Sequence, residues 1–224
     1  MTTLNFNRTK ALGLFAKYWQ PGKVKTRLAA SIGLQRAADT YQQFVKTLIE
    51  RLSDCQAEKW LAFTPAERKG EFLELVPNDW QLDLQAEGDL GDRMRTFFAR
   101  RFEAGSERAV LVGSDSPHLP LESIQQAFEQ LRESQVVLGP TEDGGYWLVG
   151  AAGNVPEIFS GIPWSTPQVW QATLDALQAA KISYSTLAVC YDVDNGDDLQ
   201  RLISDLQNAI DCDPQLDRLL KRLS

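Results

Sequence analysis

The chain has little of what builds metal knuckles, disulfide scaffolds or membrane spans. Its one histidine, His118, follows Pro117 outside any regular pattern, which leaves it a minor contact role at most. Its cysteines, Cys55, Cys190 and Cys212, are odd in number, far apart and free of Cys-x-x-Cys or Cys/His spacing. They read as reduced structural thiols, with a disulfide pair the lesser reading. No stretch approaches the roughly 18 consecutive apolar residues of a membrane span, and the opening MTTLNFNRTK has no apolar core of signal-peptide type. The cytoplasm is the expected location. Positive charge is also short: 23 Lys and Arg face 30 Asp and Glu, a net charge of −7. A nucleic-acid binder normally carries a basic face, so that class is excluded and any basic site must be local. A small anionic ligand suits such a site.

What is present is a core. Of 224 residues, 43% are aliphatic or aromatic and 24% charged, as in a soluble α/β protein. Repeats, low-complexity tracts and linkers are missing, so a single domain over 1–224 is expected. Short apolar runs at 11–16, 59–65, 80–85, 109–115, 136–140, 146–151 and 182–190 read as strands. Between them lie helical patterns. The longest starts near Leu34 and repeats apolar residues at steps of three and four through Leu52. Others cover 66–76, the segment of Met94, Phe97, Phe98 and Phe102, residues 121–131, a stretch opened by Thr166-Pro167, 195–207 and the C-terminal DPQLDRLLKRL. Thr166 before Pro167 has the form of an N-cap followed by an N1 proline. Alternating strands and helices predict a three-layer, Rossmann-like domain with a largely parallel sheet.

Ligands of such sheets sit beyond the carboxyl ends of the strands. The polar clusters expected there are Lys17 to Arg27, Gly88 to Arg93, Ser114 to His118, Glu142 to Tyr146 and Asp192 to Asp194. Gly88, Asp89 and Ser114 are placed with the substrate on that ground. In QPGKVKTRL, Lys23, Lys25 and Arg27 crowd after a strand and Lys25-Thr26 falls at a helix start, which suits phosphate. The segment is not a Walker loop, and three solvated loop charges are the bland alternative. Asp115 stands where an apolar strand ends, as a carboxylate for Mg²⁺ or Mn²⁺ or as a cap on the next helix. Asp192 and Asp194 are two apart, hence on one side of an extended segment, and Asp194 is taken as the second metal ligand. Asp197 and Asp198 belong to the first turn of the following helix. In TEDGGYW, Gly144 and Gly145 would expose backbone to a substrate, Asp143 would hold or deprotonate its hydroxyl, and Tyr146 would face the pocket. The alternative is an ordinary Asp-Gly hairpin turn.

Taken in order, FAKYWQPGKVKTRLA, EGDLGDRM, VGSDSPHLP, LGPTEDGGYWLVG, PWST and DVDNGDDL resemble a bacterial glycosyltransferase-like family. It is also known as the radical-SAM/selenodomain-associated transferase family and is related to 2-phospholactate guanylyltransferase. The resemblance runs from about residue 10 to 208. It implies a nucleotide-diphospho-sugar transferase fold of GT-A type, with a nucleotide half and an acceptor half. It also implies phosphate binding by Lys25 and Arg27, a metal on Asp115, and Asp143, Gly144 and Gly145 near the transferred or acceptor group. Tyr18-Trp19-Gln20 departs from the shorter proline-containing stretch usual in that family.

The expectation is a Mg²⁺- or Mn²⁺-dependent glycosyltransferase that moves a sugar from a nucleoside diphosphate to a small-molecule acceptor. A nucleotidyltransferase that joins a nucleoside triphosphate to a phosphorylated small molecule is the alternative. A non-catalytic nucleotide-binding module is the third reading, since fold alone does not fix function.

Overall fold

The computed structural model describes residues 9–209 and 213–223, so Cys212 lies outside the described residues. In chain order the elements are strand β1 (Lys10–Lys17), helices α1 (Thr26–Ile32) and α2 (Leu34–Leu52), β2 (Glu58–Thr64), α3 (Lys69–Leu75), β3 (Trp80–Leu84), α4 (Leu90–Glu103) and β4 (Arg108–Val112). Then follow α5 (Leu121–Gln130), β5 (Val136–Pro140), β6 (Tyr146–Ala152), α6 (Val169–Ala179), β7 (Tyr184–Thr186), α7 (Gly196–Asn208) and α8 (Pro214–Leu223).

The strands form a seven-stranded sheet in the order β3-β2-β1-β4-β6-β5-β7. β1, β2, β3 and β4 run parallel, β7 is parallel to β5, and β6 opposes both neighbours. The sheet is therefore mostly parallel, as the alternating pattern predicts. Its central strands are apolar on both faces because helices cover both. With a period of two, Leu12, Leu14, Val110 and Val112 point to the layer of α2, α3 and α5. Ala11, Ala109 and Leu111 point to that of α4 and α6. A third cluster joins Leu28 and Phe44 to Val193, Leu202 and Leu219, so α1, α2, α7 and α8 pack together beside the sheet.

Two predicted boundaries move. The 182–190 strand shortens to Tyr184–Thr186, paired with Val136 to Leu138 of β5, because Pro140 further along β5 has no N–H to continue the pairing. The chain follows it through Leu187 N to Leu138 O at 2.9 Å, bulges outward at the exposed Val189, and returns with Cys190 N to Pro140 O at 3.0 Å. Helix α6 starts at Val169 rather than at Thr166-Pro167. The Thr166 hydroxyl donates to Pro163 O at 2.7 Å and accepts from Gln168 N at 3.3 Å, which closes the turn before the helix. The extra aromatics of the first loop have a structural use. Tyr18 and Trp19 stack at 4.8 Å, and Trp19 meets Phe72 of α3 at 5.3 Å. Among the described residues no helix is long and apolar enough to cross a membrane.

Arg51, at the end of α2, braces the segment that follows β4. Its side chain is 5% exposed, Nη1 donates to Pro117 O and Leu119 O at 2.8 Å each, and Nε pairs with Asp213 Oδ2 at 2.7 Å. Asp213 Oδ1 in turn accepts from Leu216 N at the start of α8. Arg51→Met strips three acceptors of their donor, and a loss of about 2–3 kcal/mol is expected. That corresponds to a melting temperature lower by roughly 4–12 °C, measurable by calorimetry. A variant that melts with the wild type would remove Arg51 from the brace.

Candidate functional site

Beyond the carboxyl ends of β1, β4 and β5, four segments converge. Lys25 caps α1 with φ 46° and ψ 46°, a left-handed conformation uncommon for a side-chain-bearing residue. This backbone sends the lysine inward. Its Nζ forms an ion pair with Asp115 Oδ1 and lies 2.9 Å from Asp194 Oδ1. The lysine side chain is 4% exposed, whereas the carboxylates are 46% and 37% exposed. Burial works against the ammonium, but attraction to Asp115 and Asp194 outweighs it and holds the Lys25 pKa above the ordinary lysine value. Arg27 reaches the same group more loosely, with Nη1 at 3.8 Å from Asp194 Oδ2. Lys23 stays exposed, and its backbone N–H closes a turn onto Gln20 O. Two of the three predicted cations thus join the cluster; the third does not.

The post-β4 and post-β7 segments lie side by side, with Val193 N donating to Asp115 O at 2.9 Å. Ser116 Oγ donates to Asp192 Oδ1 at 2.5 Å. Burial, and then the Asp115 charge, push the Asp192 carboxyl up to about 7. A carboxyl raised in the fold binds more protons there than in the unfolded chain. Its contribution to stability is full below the unfolded value near 4 and is lost as pH rises through about 7. Asp192→Asn should therefore gain melting temperature relative to the wild type between about pH 5 and about pH 8. A constant difference across that range would contradict the raised pKa.

The β5–β6 turn brings Asp143. Its Oδ1 accepts from Thr141 Oγ1 at 2.5 Å and from Gly145 N at 3.2 Å, so one oxygen is fixed while the residue remains exposed. Asp143 lies near enough to Asp192 for their charges to interact. The turn is anchored on α7, where Arg201 clasps Glu142 through two hydrogen bonds of 2.7 and 2.9 Å and covers the Tyr191 ring at 3.8 Å.

Several predicted substrate contacts face inward instead. Gly144 has φ 91°, and a Cβ there would sit 2.3 Å from Pro167 O. Its carbonyl accepts from Trp170 N at 2.7 Å. The Gly145 N–H is spent on Thr141 and Asp143. Both glycines thus serve the docking of their own turn rather than an open backbone for a substrate. The Tyr146 hydroxyl is buried, and its ring meets Trp164 edge-on at 6.2 Å, because its strand position turns it into the layer of α4 and α6. Ser114 is 4% exposed and shares a 2.7 Å hydrogen bond with the Tyr41 hydroxyl, which also accepts from Lys17 N. Asp89 caps α4 in a reciprocal pair with Asp92, and Gly88 makes the turn before it. His118 packs against Tyr191 with ring centroids 4.1 Å apart and Nε2 3.5 Å from Cys190 Sγ, and burial pushes its pKa down to about 4.

Sequence reasoning passed over Tyr41 and Thr141. Tyr41 sits in the three-and-four spacing of α2 and reads as core, which its ring is. Ser116 falls in the predicted Ser114 to His118 cluster, but its pairing with Asp192 had no sequence signal. Thr141, two residues before Asp143, gave none either.

A family model described as "Uncharacterized protein conserved in bacteria (DUF2064)" matches residues 47–166. The chain belongs to the DUF2064 family. A solved structure from Desulfovibrio desulfuricans G20, provisionally named a nucleotide-diphospho-sugar transferase, is 32% identical to this DUF2064 member, with a TM-score of 0.89. The match covers 96% of this chain and 94% of that one. CMP:2-keto-3-deoxy-manno-octonic acid synthetase, solved with CTP, is 12% identical with a TM-score of 0.56, over 87% of this chain and 96% of its own. The 4-diphosphocytidyl-2C-methyl-D-erythritol synthase of Anaerococcus prevotii DSM 20548 is 9% identical with a TM-score of 0.58, over 89% and 98%. The last two share the fold alone. No curated protein matches the sequence. This DUF2064 protein has the nucleotide-diphospho-sugar transferase fold.

Proposed function

We propose that this DUF2064 protein is a metal-dependent glycosyltransferase that takes a nucleoside diphosphate sugar and delivers the sugar to a hydroxyl of a small-molecule acceptor. The observation that carries the reading is the meeting of buried Lys25 with Asp115 and Asp194, with Asp192 between the charges of Asp115 and of a fixed but exposed Asp143. Among the described residues, no three or more His, Cys, Asp or Glu side chains gather to hold an ion alone. Mg²⁺ and Mn²⁺ are hard ions that join one or two carboxylates to substrate phosphate oxygens. Asp115 and Asp194 are oxygen donors that already share one cation, so they fit such an ion. When bound, the ion supplies positive charge for the leaving diphosphate. Lys25 and Arg27 bind the phosphates and stabilise the charge developing there. Asp143, with Oδ1 held, keeps Oδ2 to accept the proton of the acceptor hydroxyl.

A second reading, nucleotidyl transfer, is favoured by one observation. Tyr146 and Trp164 are packed against each other and give a sugar little ring surface to stack on. Product analysis separates the two. Sugar transfer releases a nucleoside diphosphate, nucleotidyl transfer releases pyrophosphate, and a protein that only binds nucleotides releases neither.

A further inference from the structure

We infer that Lys25 is an internal counter-ion that competes with the divalent cation for Asp115 and Asp194 and so sets the enzyme's metal affinity. The inference rests on the metal-dependent reading above. Its basis is the way Lys25 is built into the site. A loop lysine seeking solvent would extend outward. Lys25 adopts a left-handed backbone at the first helical turn and buries its side chain to 4% exposure, while both acidic partners stay open. The ammonium lies against Asp115 and Asp194, the two carboxylates that would hold the ion. Two cations on the same pair of carboxylates repel, and within about 4 Å that repulsion is worth at least a tenfold change in affinity at a partly buried site.

A consequence follows for the order of binding. Arg27 is 77% exposed and 3.8 Å from Asp194, so it adds little to this competition. Phosphate oxygens offer the Lys25 ammonium a different anionic partner. A nucleotide that engages Lys25 releases the carboxylates, and the divalent ion enters with it rather than before it. Lys25 thereby acts twice, on phosphate and on the metal.

The test is Mn²⁺ binding to the ligand-free protein, followed by electron paramagnetic resonance. It uses the wild type, Lys25→Asn, Lys25→Gln, Lys25→Arg and Lys25→Asn with Asp115→Asn. Asparagine tolerates the left-handed backbone, and Lys25→Gln gives an independent neutral variant if one of them folds poorly. Both neutral variants should bind Mn²⁺ at least about tenfold more tightly than the wild type. Lys25→Arg, which keeps the charge, should stay as weak as the wild type, and the added Asp115→Asn should cancel the gain. Neutral variants no tighter than the wild type overturn the inference. So does a gain that survives Asp115→Asn, or one that Lys25→Arg shares. The transferase reading fails separately, through the absence of metal-stimulated product in the wild type.

Discussion

Asp115→Asn is expected to lower metal-stimulated turnover by about 10³-fold while leaving the fold intact. The substitution keeps the size of the side chain and removes the charge that stands at the end of β4. Lys25 retains Asp194 at 2.9 Å, so its buried ammonium is not left unpaired. Stability should consequently change little, and the loss should appear in the chemistry. Steady-state kinetics with and without Mn²⁺ checks the point. If the variant is still stimulated by metal to the wild-type extent, Asp115 serves only as a partner for Lys25 and the ion sits elsewhere.

Asp143→Asn should reduce transfer by about 10²–10⁴ with nucleotide affinity nearly unchanged, since general-base assistance is worth that much. The amide preserves the shape of the turn and one acceptor oxygen for Thr141 and Gly145, but it takes no proton. The split between kcat and affinity is the informative part. If affinity falls together with turnover, Asp143 holds the nucleotide or its metal instead. Full activity in the variant would leave Thr141–Gly145 as a hairpin turn docked on Pro167 and Trp170.

The alternation of buried strands and amphipathic helices made the sheet legible, because each core strand is apolar on both faces and each helix carries a stripe. Lys25, Asp115 and Asp194 were legible for a related reason: the end of a buried strand in such a sheet is where polar side chains gather. What the sequence did not convey is which partner each polar group takes. Lys25 read as a cation for phosphate, and nothing in its neighbours told that it pairs with the two carboxylates assigned to the metal. Gly144 and Gly145 read as room for a substrate. The space beside Gly144 is filled by the backbone of Pro167, which lies 23 positions away in the chain. Tyr146 failed likewise, since a single strand position decides whether a ring meets the cleft or the next layer, and Ser114, just past β4, is taken by the Tyr41 hydroxyl of α2. Cys190 fell on a predicted strand that ends early beside Pro140 of β5, which has no N–H to continue the pairing.

The most direct test of the central claim is a thermal-shift panel of UDP, GDP, CDP and dTDP compounds with the wild type and Asp115→Asn, each with and without Mn²⁺. A nucleotide at about a hundred times its dissociation constant adds about 2.7 kcal/mol, a rise of roughly 5–11 °C for a chain of this size. The account predicts that one base stands out, that Mn²⁺ enlarges its shift, and that Asp115→Asn removes the metal-dependent part. No shift with any of the nucleotides, or a metal-enhanced shift that survives Asp115→Asn, would contradict it.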